Sequence, residues 1–319
     1  MTKKEKSCIL VTGGAGFIGS HLCEYLLGSG HKVVCVDNFN SFYDPGIKEQ
    51  NISALISSED FNLVKADIRD KARLAEIFEE NNPDLVIHLA AMPGVRPSIK
   101  DPFLYYDVNV NGTLTVLETM RRYGVKRMIF ASSSSVYGNN SKIPFSESDP
   151  VDSPISPYAS SKRACELLCS TWHSLYQFEI FCLRFFTVYG PRQRPDLAIH
   201  SFTNKILDNS PLQIYGDGSS FRDYTYIDDV LQGINNAINR LKGFNIYNIG
   251  ESRKVLLSEV IETIENALGK KAIKEYLPFQ AGDVNATFAD ISKARKELDY
   301  NPSFDFREGI AEFIRWKLA

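Results

Sequence analysis

No apolar run among the 319 residues reaches the roughly 18–20 that cross a bilayer, which excludes a transmembrane helix. The N-terminus is basic, but the apolar stretch behind it, Cys8 to Val11, is too short for the core of a signal peptide. Basic residues form no block, and the net charge is −3 with a pI of about 6.0. A nucleic-acid surface is therefore not expected. Cysteine is sparse. Its six positions (Cys8, Cys23, Cys35, Cys165, Cys169 and Cys182) contain no C-x-x-C pair. Reduced core thiols in a cytoplasmic protein are the simplest reading, and no metal site is expected. Low-complexity tracts, repeats and linker-like stretches are missing too. What is present is ordinary globular composition, 44% hydrophobic and 24% charged, in a chain long enough for one large domain or two smaller ones.

Short runs rich in β-branched residues stand at 8–12, 32–36, 61–66, 84–90 and 127–131. Helical periodicity occupies about 17–29, 46–57, 70–80 and 105–123 between them. Unbroken apolar strands separated by helices predict a parallel sheet covered on both faces. Right-handed crossovers then make it α/β, a Rossmann-type doubly wound sheet. A helix at about 157–176 and a sixth strand at 179–185 extend the pattern. Beyond about residue 186 alternation weakens, and helical patterns return at 198–208, 228–240, 256–268, 291–298 and 306–317.

The first strand runs into Thr12-Gly13-Gly14-Ala15-Gly16-Phe17-Ile18-Gly19. Gly13, Gly16 and Gly19 remove Cβ where a backbone must turn tightly or approach a pyrophosphate, and a helix N-terminus follows to receive the anion. The second strand ends in Asp37, an acceptor for a ribose diol whose charge disfavours a 2′-phosphate. NAD is thus expected over NADP. Phe17 and Ile18 in the turn and Ala90 in HLAA join the cofactor candidates. Asp67 and Ile68 either flank the adenine or belong to an ordinary loop.

Tyr158 and Lys162 form a Y-x-x-x-K pair on one helix face. A lysine cation one turn away favours the phenolate of a tyrosine that is otherwise too weak an acid to serve as a base. Ser132 to Ser135 stand at the C-terminal end of the fifth strand, where doubly wound sheets bind ligands. With TGGAGFIGSH, VDNFN, HLAA, SSSSVYG, YASSK, LRFFTVYGPRQRP, FRDYTYIDDV and GDVNATFADI, the whole chain resembles the extended short-chain dehydrogenase/reductases that remodel nucleotide sugars. The resemblance implies bound NAD, a homodimer built on the helices at about 101–123 and 157–176, and C4 oxidation of a UDP-sugar. It makes Ser133 the partner of Tyr158 and Lys162, with one position of ambiguity in the four serines. It gives Asn109 a structural, site-lining role, Arg222 the diphosphate and Asp283 the uridine ribose. It also implies an NAD-binding domain over 1–186, with a returning element around 223–249. A smaller, interleaved α/β nucleotide-sugar domain then covers mainly 187–319.

Dehydratases of that family carry Asp-Glu directly after the catalytic hydroxyl; here Ser134-Ser135 stands there. No carboxylate in that position serves chemistry at C5 or C6, which leaves 4-epimerization. The string 183–200 resembles the members acting on UDP-glucuronate and UDP-galacturonate, because Thr187 stands where neutral-hexose epimerases carry asparagine and Arg192 and Arg194 follow. A guanidinium there suits a C6 carboxylate. The substrate candidates are Arg96, Ser133, Ser134, Thr187, Arg194, Gln213, Tyr215, Arg222 and Asp283. A UDP-glucose/galactose epimerase and a non-catalytic NAD-binding sensor remain the alternatives.

Overall fold

The computed structural model describes residues 6–278 and 286–319. In chain order the elements are β1 (Cys8–Thr12), α1 (Phe17–Gly28), β2 (Lys32–Asp37), α2 (Pro45–Ile52), β3 (Phe61–Lys65), α3 (Lys71–Asn81), β4 (Leu85–His88), α4 (Val95–Lys100), α5 (Pro102–Tyr105), α6 (Gly112–Arg122), β5 (Arg127–Ser133), α7 (Pro157–Tyr176) and β6 (Glu179–Phe185). They continue with β7 (Thr187–Tyr189), α8 (Ala198–Leu207), β8 (Leu212–Tyr215), β9 (Phe221–Arg222), β10 (Tyr224–Tyr226), α9 (Ile227–Arg240), β11 (Phe244–Ile249), β12 (Val255–Leu256), α10 (Leu257–Leu268), β13 (Lys274–Leu277), α11 (Ser292–Leu298) and α12 (Phe306–Leu318). They form two interleaved units. One comprises Met1–Val136, Pro154–Arg184 and Ile234–Tyr247, the other Tyr137–Ser153, Phe185–Gly233 and Asn248–Ala319.

The first unit is built on one sheet in the order β11-β6-β5-β4-β1-β2-β3. β1 pairs in parallel with both β2 and β4, so successive crossovers leave in opposite directions from that point. Ligands bind beside such a reversal, at the C-terminal strand ends. Leu10, Val34, Val86, Phe130 and Ile180 are buried in the core with Leu117 and Met120 of α6. Burial on both faces is why these strands read as continuous apolar runs.

Two expected helices differ. That expected at 46–57 ends at Ile52 and passes into a tight turn at Ser53–Leu55. That expected at 105–123 is interrupted by a π-helical turn at Tyr106–Asn111. The buried Asn109 explains the interruption: its side chain accepts from Met92 N–H at 2.7 Å and donates to Met92 O and Ser161 Oγ. An extra residue in the turn lets those bonds form.

Among the described residues the second unit holds three two-stranded ribbons: parallel β7–β10 and β8–β13, and antiparallel β9–β12. α10 packs on α8 and α12 beside them. Among the described residues no helix is long and apolar enough to cross a membrane, and no cluster of His, Cys, Asp and Glu is arranged to hold a metal.

Candidate active site

The turn after β1 is shaped by its glycines. Gly13 has φ +69°, and a Cβ on it would lie 2.8 Å from the Ala90 nitrogen. A Cβ on Gly19 would come within 2.2 Å of the Gly13 carbonyl, so α1 sits directly on the turn. Gly16 caps α1 without a side chain. The first-turn amides, among them those of Phe17 and Ile18, therefore point from the positive end of a 12-residue helix with no cap to satisfy them. Phe17 itself is buried and Ile18 half-buried. This cradle fits a pyrophosphate.

Asp37 ends β2 beside the turn and is 5% exposed. Its carboxylate accepts from Ala15 N–H at 3.3 Å and from Phe39 N–H at 2.8 Å. Lys48 of α2, also buried, donates to it at 2.9 Å. Asp37 stands at the end of β2, as the sequence predicts, and carries a buried counter-ion that the sequence does not announce; nothing in the α2 pattern marks its lysine as buried. Asp67 is engaged by the fork of Arg69 at 2.9 and 2.8 Å and by Asn38 at 3.0 Å. The Arg69 bonds hold its carboxyl down to about 2. The Ile68 side chain packs in the core against Gly112, so only its backbone can face a ligand.

His88, at the end of β4, is buried and its pKa falls to about 3, chiefly through desolvation and then through the Lys162 charge. Ala90 N–H donates to Thr12 Oγ1, which is 2.6 Å from His88 Nδ1. His88 Nε2 is 3.1 Å from Thr113 Oγ1, which donates to the Asn109 carbonyl. That chain of donors fits a neutral imidazole protonated at Nε2.

The proton-handling candidates gather at the end of β5 and the first turns of α7. Ser156 caps α7 with its side chain and Pro157 follows, which starts the helix immediately before Tyr158. Lys162, 4% exposed, donates to the Ala131 carbonyl at 2.7 Å. Tyr158 lies edge-on to Tyr105, with ring centroids 6.3 Å apart. The four serines are not equivalent. Ser132 donates to Glu166 at 2.6 Å. Ser133 donates to Ser135 Oγ at 3.1 Å and accepts from Ser135 N–H. Ser134 is half-buried and opens the turn beyond β5. Glu166 is a second residue that sequence reasoning missed; its place one turn beyond Lys162 is the available signal. Arg96 is exposed on α4.

In the second unit, Thr187 N–H donates to the Asp223 carbonyl where β7 meets β10. Arg222 Nη1 donates to the Phe221 carbonyl. The Asp223 carboxylate accepts N–H groups of Glu251, Ser252 and Ala289. Burial still lifts its pKa to about 6. Tyr215 donates to the Gln213 amide oxygen at 3.2 Å on β8. The loop after β7 is organised by buried Gln193, which donates to Val188 O and whose side-chain oxygen accepts from His200 N–H. Arg192 beside it takes φ +62°. Arg194 meets Asp196 with two bonds of 2.9 Å. Asp283 lies outside the described residues.

The pattern of the GDP-mannose 4,6 dehydratase family matches residues 10–313. A UDP-glucuronate 4-epimerase of Thermodesulfobacterium geofontis is 44% identical, across 96% of this chain and 95% of its own. The crystal structure of UDP-glucuronic acid 4-epimerase from Bacillus cereus, with UDP-glucuronic acid and NAD, is 38% identical at a TM-score of 0.92. That match covers 98% of this chain and 100% of the other. A Thermotoga maritima UDP-glucose 4-epimerase crystallised with UDP-glucose is 32% identical at a TM-score of 0.90, over 98% of each chain.

Proposed function

The chain belongs to the GDP-mannose 4,6 dehydratase family of extended short-chain dehydrogenase/reductases, and we propose that it interconverts UDP-glucuronate and UDP-galacturonate by NAD-dependent epimerization at C4. The observation that carries this reading is full-length similarity to UDP-glucuronate 4-epimerases at 44% and 38% identity, against 32% for the UDP-glucose enzyme. The family's dehydratase name does not extend to the activity, because Ser134-Ser135 offers no acid or base after Ser133.

When bound, NAD supplies the two-electron acceptor that oxidises C4 and the donor that reduces it again. The protein's groups do the rest. The cradle at Gly13, Gly16 and Gly19 with the Phe17 and Ile18 amides receives the pyrophosphate, and Asp37 receives the adenosine ribose. Asp67, the Ile68 backbone and Ala90 line the remainder of the cofactor site. Tyr158 takes the C4 hydroxyl proton and returns it after the 4-keto sugar has turned over. Lys162 keeps its ammonium one helical turn from Tyr158, and Ser133 shares the proton in transit. On the substrate side Arg222 holds the diphosphate and Asp283 the uridine ribose, with Gln213 and Tyr215 beside the nucleotide. Thr187 and Arg194 receive the C6 carboxylate, and Arg96 and Ser134 line the sugar.

A homodimer is supported by exposed apolar side chains on the first unit: Phe103 at 87%, Leu167 at 53% and Leu175 at 63%. Sedimentation equilibrium tests it, and a monomer at micromolar concentration would remove it. Six free cysteines favour a reducing compartment, the cytoplasm. The deciding experiment for function is incubation with UDP-glucuronate and, separately, UDP-glucose, with proton NMR at C4. Epimerization of the neutral sugar alone, or of neither, refutes the proposal.

A further inference from the structure

Glu166 is 1% exposed and Arg184 1% exposed, and they are joined by bonds of 2.8 and 2.9 Å. Ser132 donates to the same carboxylate at 2.6 Å, and Arg163 at 3.2 Å. Such a buried pair is poorly explained by stability, since well-packed apolar side chains of equal volume commonly do as well or better. Its connections suggest another purpose. Ala131 and Ser132 are consecutive on β5, and Lys162 and Glu166 are one turn apart on α7. The carbonyl of the first strand residue takes Lys162, and the hydroxyl of the second gives to Glu166. The strand residue that follows is Ser133, and Tyr158 stands one turn before Lys162. Arg184, near the end of β6, holds the Glu166 carboxylate from the third side. These two adjacent ties fix the axial position of α7 against the end of β5, and neither survives a one-residue slip.

We propose that Ser132, Glu166 and Arg184 are positioning residues that set the distance of Tyr158 and Lys162 from Ser133. The proposal rests on the reading of those three as the proton-handling set. A displacement near 1 Å can cost about 10²-fold in rate while leaving binding intact.

The test replaces the ion pair by apolar side chains of similar length in one variant, Glu166→Met with Arg184→Met. Its kcat should fall roughly 10- to 100-fold, with KM for the UDP-sugar and cofactor content after purification within about twofold of wild type. A purely structural pair would leave kcat untouched once the protein folds. In case the double variant does not fold, Ser132→Ala removes one tie only, and Ser132→Thr restores the hydroxyl. Loss of kcat in the first with recovery in the second is expected. Wild-type kcat in a folded double variant, or in Ser132→Ala, overturns the proposal. Tyr158→Phe run alongside separates the two failures. If it too stays active, the assignment of the site is wrong; if it is inactive while the others match wild type, only the positioning role is wrong.

Discussion

In the proposed site, Arg194 is the group that selects a uronate. Its guanidinium meets the Asp196 carboxylate through Nε and Nη2, both at 2.9 Å. The two side chains are 20% and 39% exposed. A pair this accessible is worth about 0.2–1 kcal/mol. A charge-assisted bond to the substrate's C6 carboxylate is worth about 1.5–3 kcal/mol, so the sugar can compete for the arginine. Arg194→Ala should therefore lower kcat/KM for UDP-glucuronate by roughly 10- to 150-fold, while the Kd of UDP, which has no carboxylate, stays unchanged. Asp196→Asn should act in the opposite direction, raising kcat/KM up to about fivefold, because a competing acceptor and a like charge are removed. Oxidising C4 of a uronate makes a β-keto acid, which loses CO₂ when the breaking bond lies perpendicular to the carbonyl plane. An arginine that holds the carboxylate out of that alignment also protects the intermediate. The Arg194→Ala variant should therefore divert more of its turnovers to CO₂ and a UDP-4-keto-pentose, visible by NMR together with absorbance of reduced cofactor. Uronate kinetics within twofold of wild type and no pentose product would refute the assignment.

Three further outcomes follow from the first unit. Tyr158→Phe should keep its bound NAD and lose about 10²–10⁴-fold in kcat, measured by coupled assay on protein whose cofactor content has been quantified; activity near wild type would sink the role. Asp37→Asn leaves buried Lys48 without its counter-ion, so a 2′-phosphate gains a cation. Calorimetric titration of the apoprotein should show the NAD:NADP affinity ratio collapsing, and an unchanged ratio contradicts this. His88 has a folded pKa of about 3, against roughly 6.5 unfolded. Between these values the unfolded chain takes up a proton that the native one refuses. Stability from this residue is thus lost as pH falls, by about 2 kcal/mol from pH 7 to pH 5. Urea unfolding should show that slope reduced in His88→Gln, and equal slopes would remove the cause.

The first unit is legible because strands buried on both faces announce themselves as runs of Val, Ile and Leu, and because Gly13, Gly16 and Gly19 stand together at a turn where a Cβ would crowd the backbone. The interruption at Tyr106–Asn111 is not legible. Helical periodicity passes through it, and the cause, Met92, is bonded from 17 residues away. The second unit's ribbons are two to four residues long, too short for alternation to register. Buried charges are hidden for a related reason. Lys48 and Glu166 sit in ordinary helical stretches, and the partners that explain their burial lie elsewhere in the sequence: Asp37 11 residues from Lys48, and Arg184 and Ser132 18 and 34 residues from Glu166.

Those hidden partners change how selectivity should be argued. Read singly, Asp37 is a negative charge that repels a phosphate, and Arg194 a positive charge that attracts a carboxylate. In the protein neither is single, since Lys48 neutralises the first and Asp196 the second. A neutral pair exerts little field at a distance, so discrimination has to arise at contact, where a ligand either replaces the partner or is refused. The two pairs differ in how readily that exchange occurs. The Lys48 and Asp37 side chains are 11% and 4% exposed, and breaking a pair buried that deeply strands a charge at a cost of about 3–5 kcal/mol. The Arg194 pair is accessible and weak. With Asp37 as the proposed ribose acceptor, cofactor choice is fixed in the folded protein and should be altered only by mutation. With Arg194 as the proposed carboxylate contact, recognition is an exchange that the substrate itself drives, and its affinity should fall as salt or competing carboxylates are added.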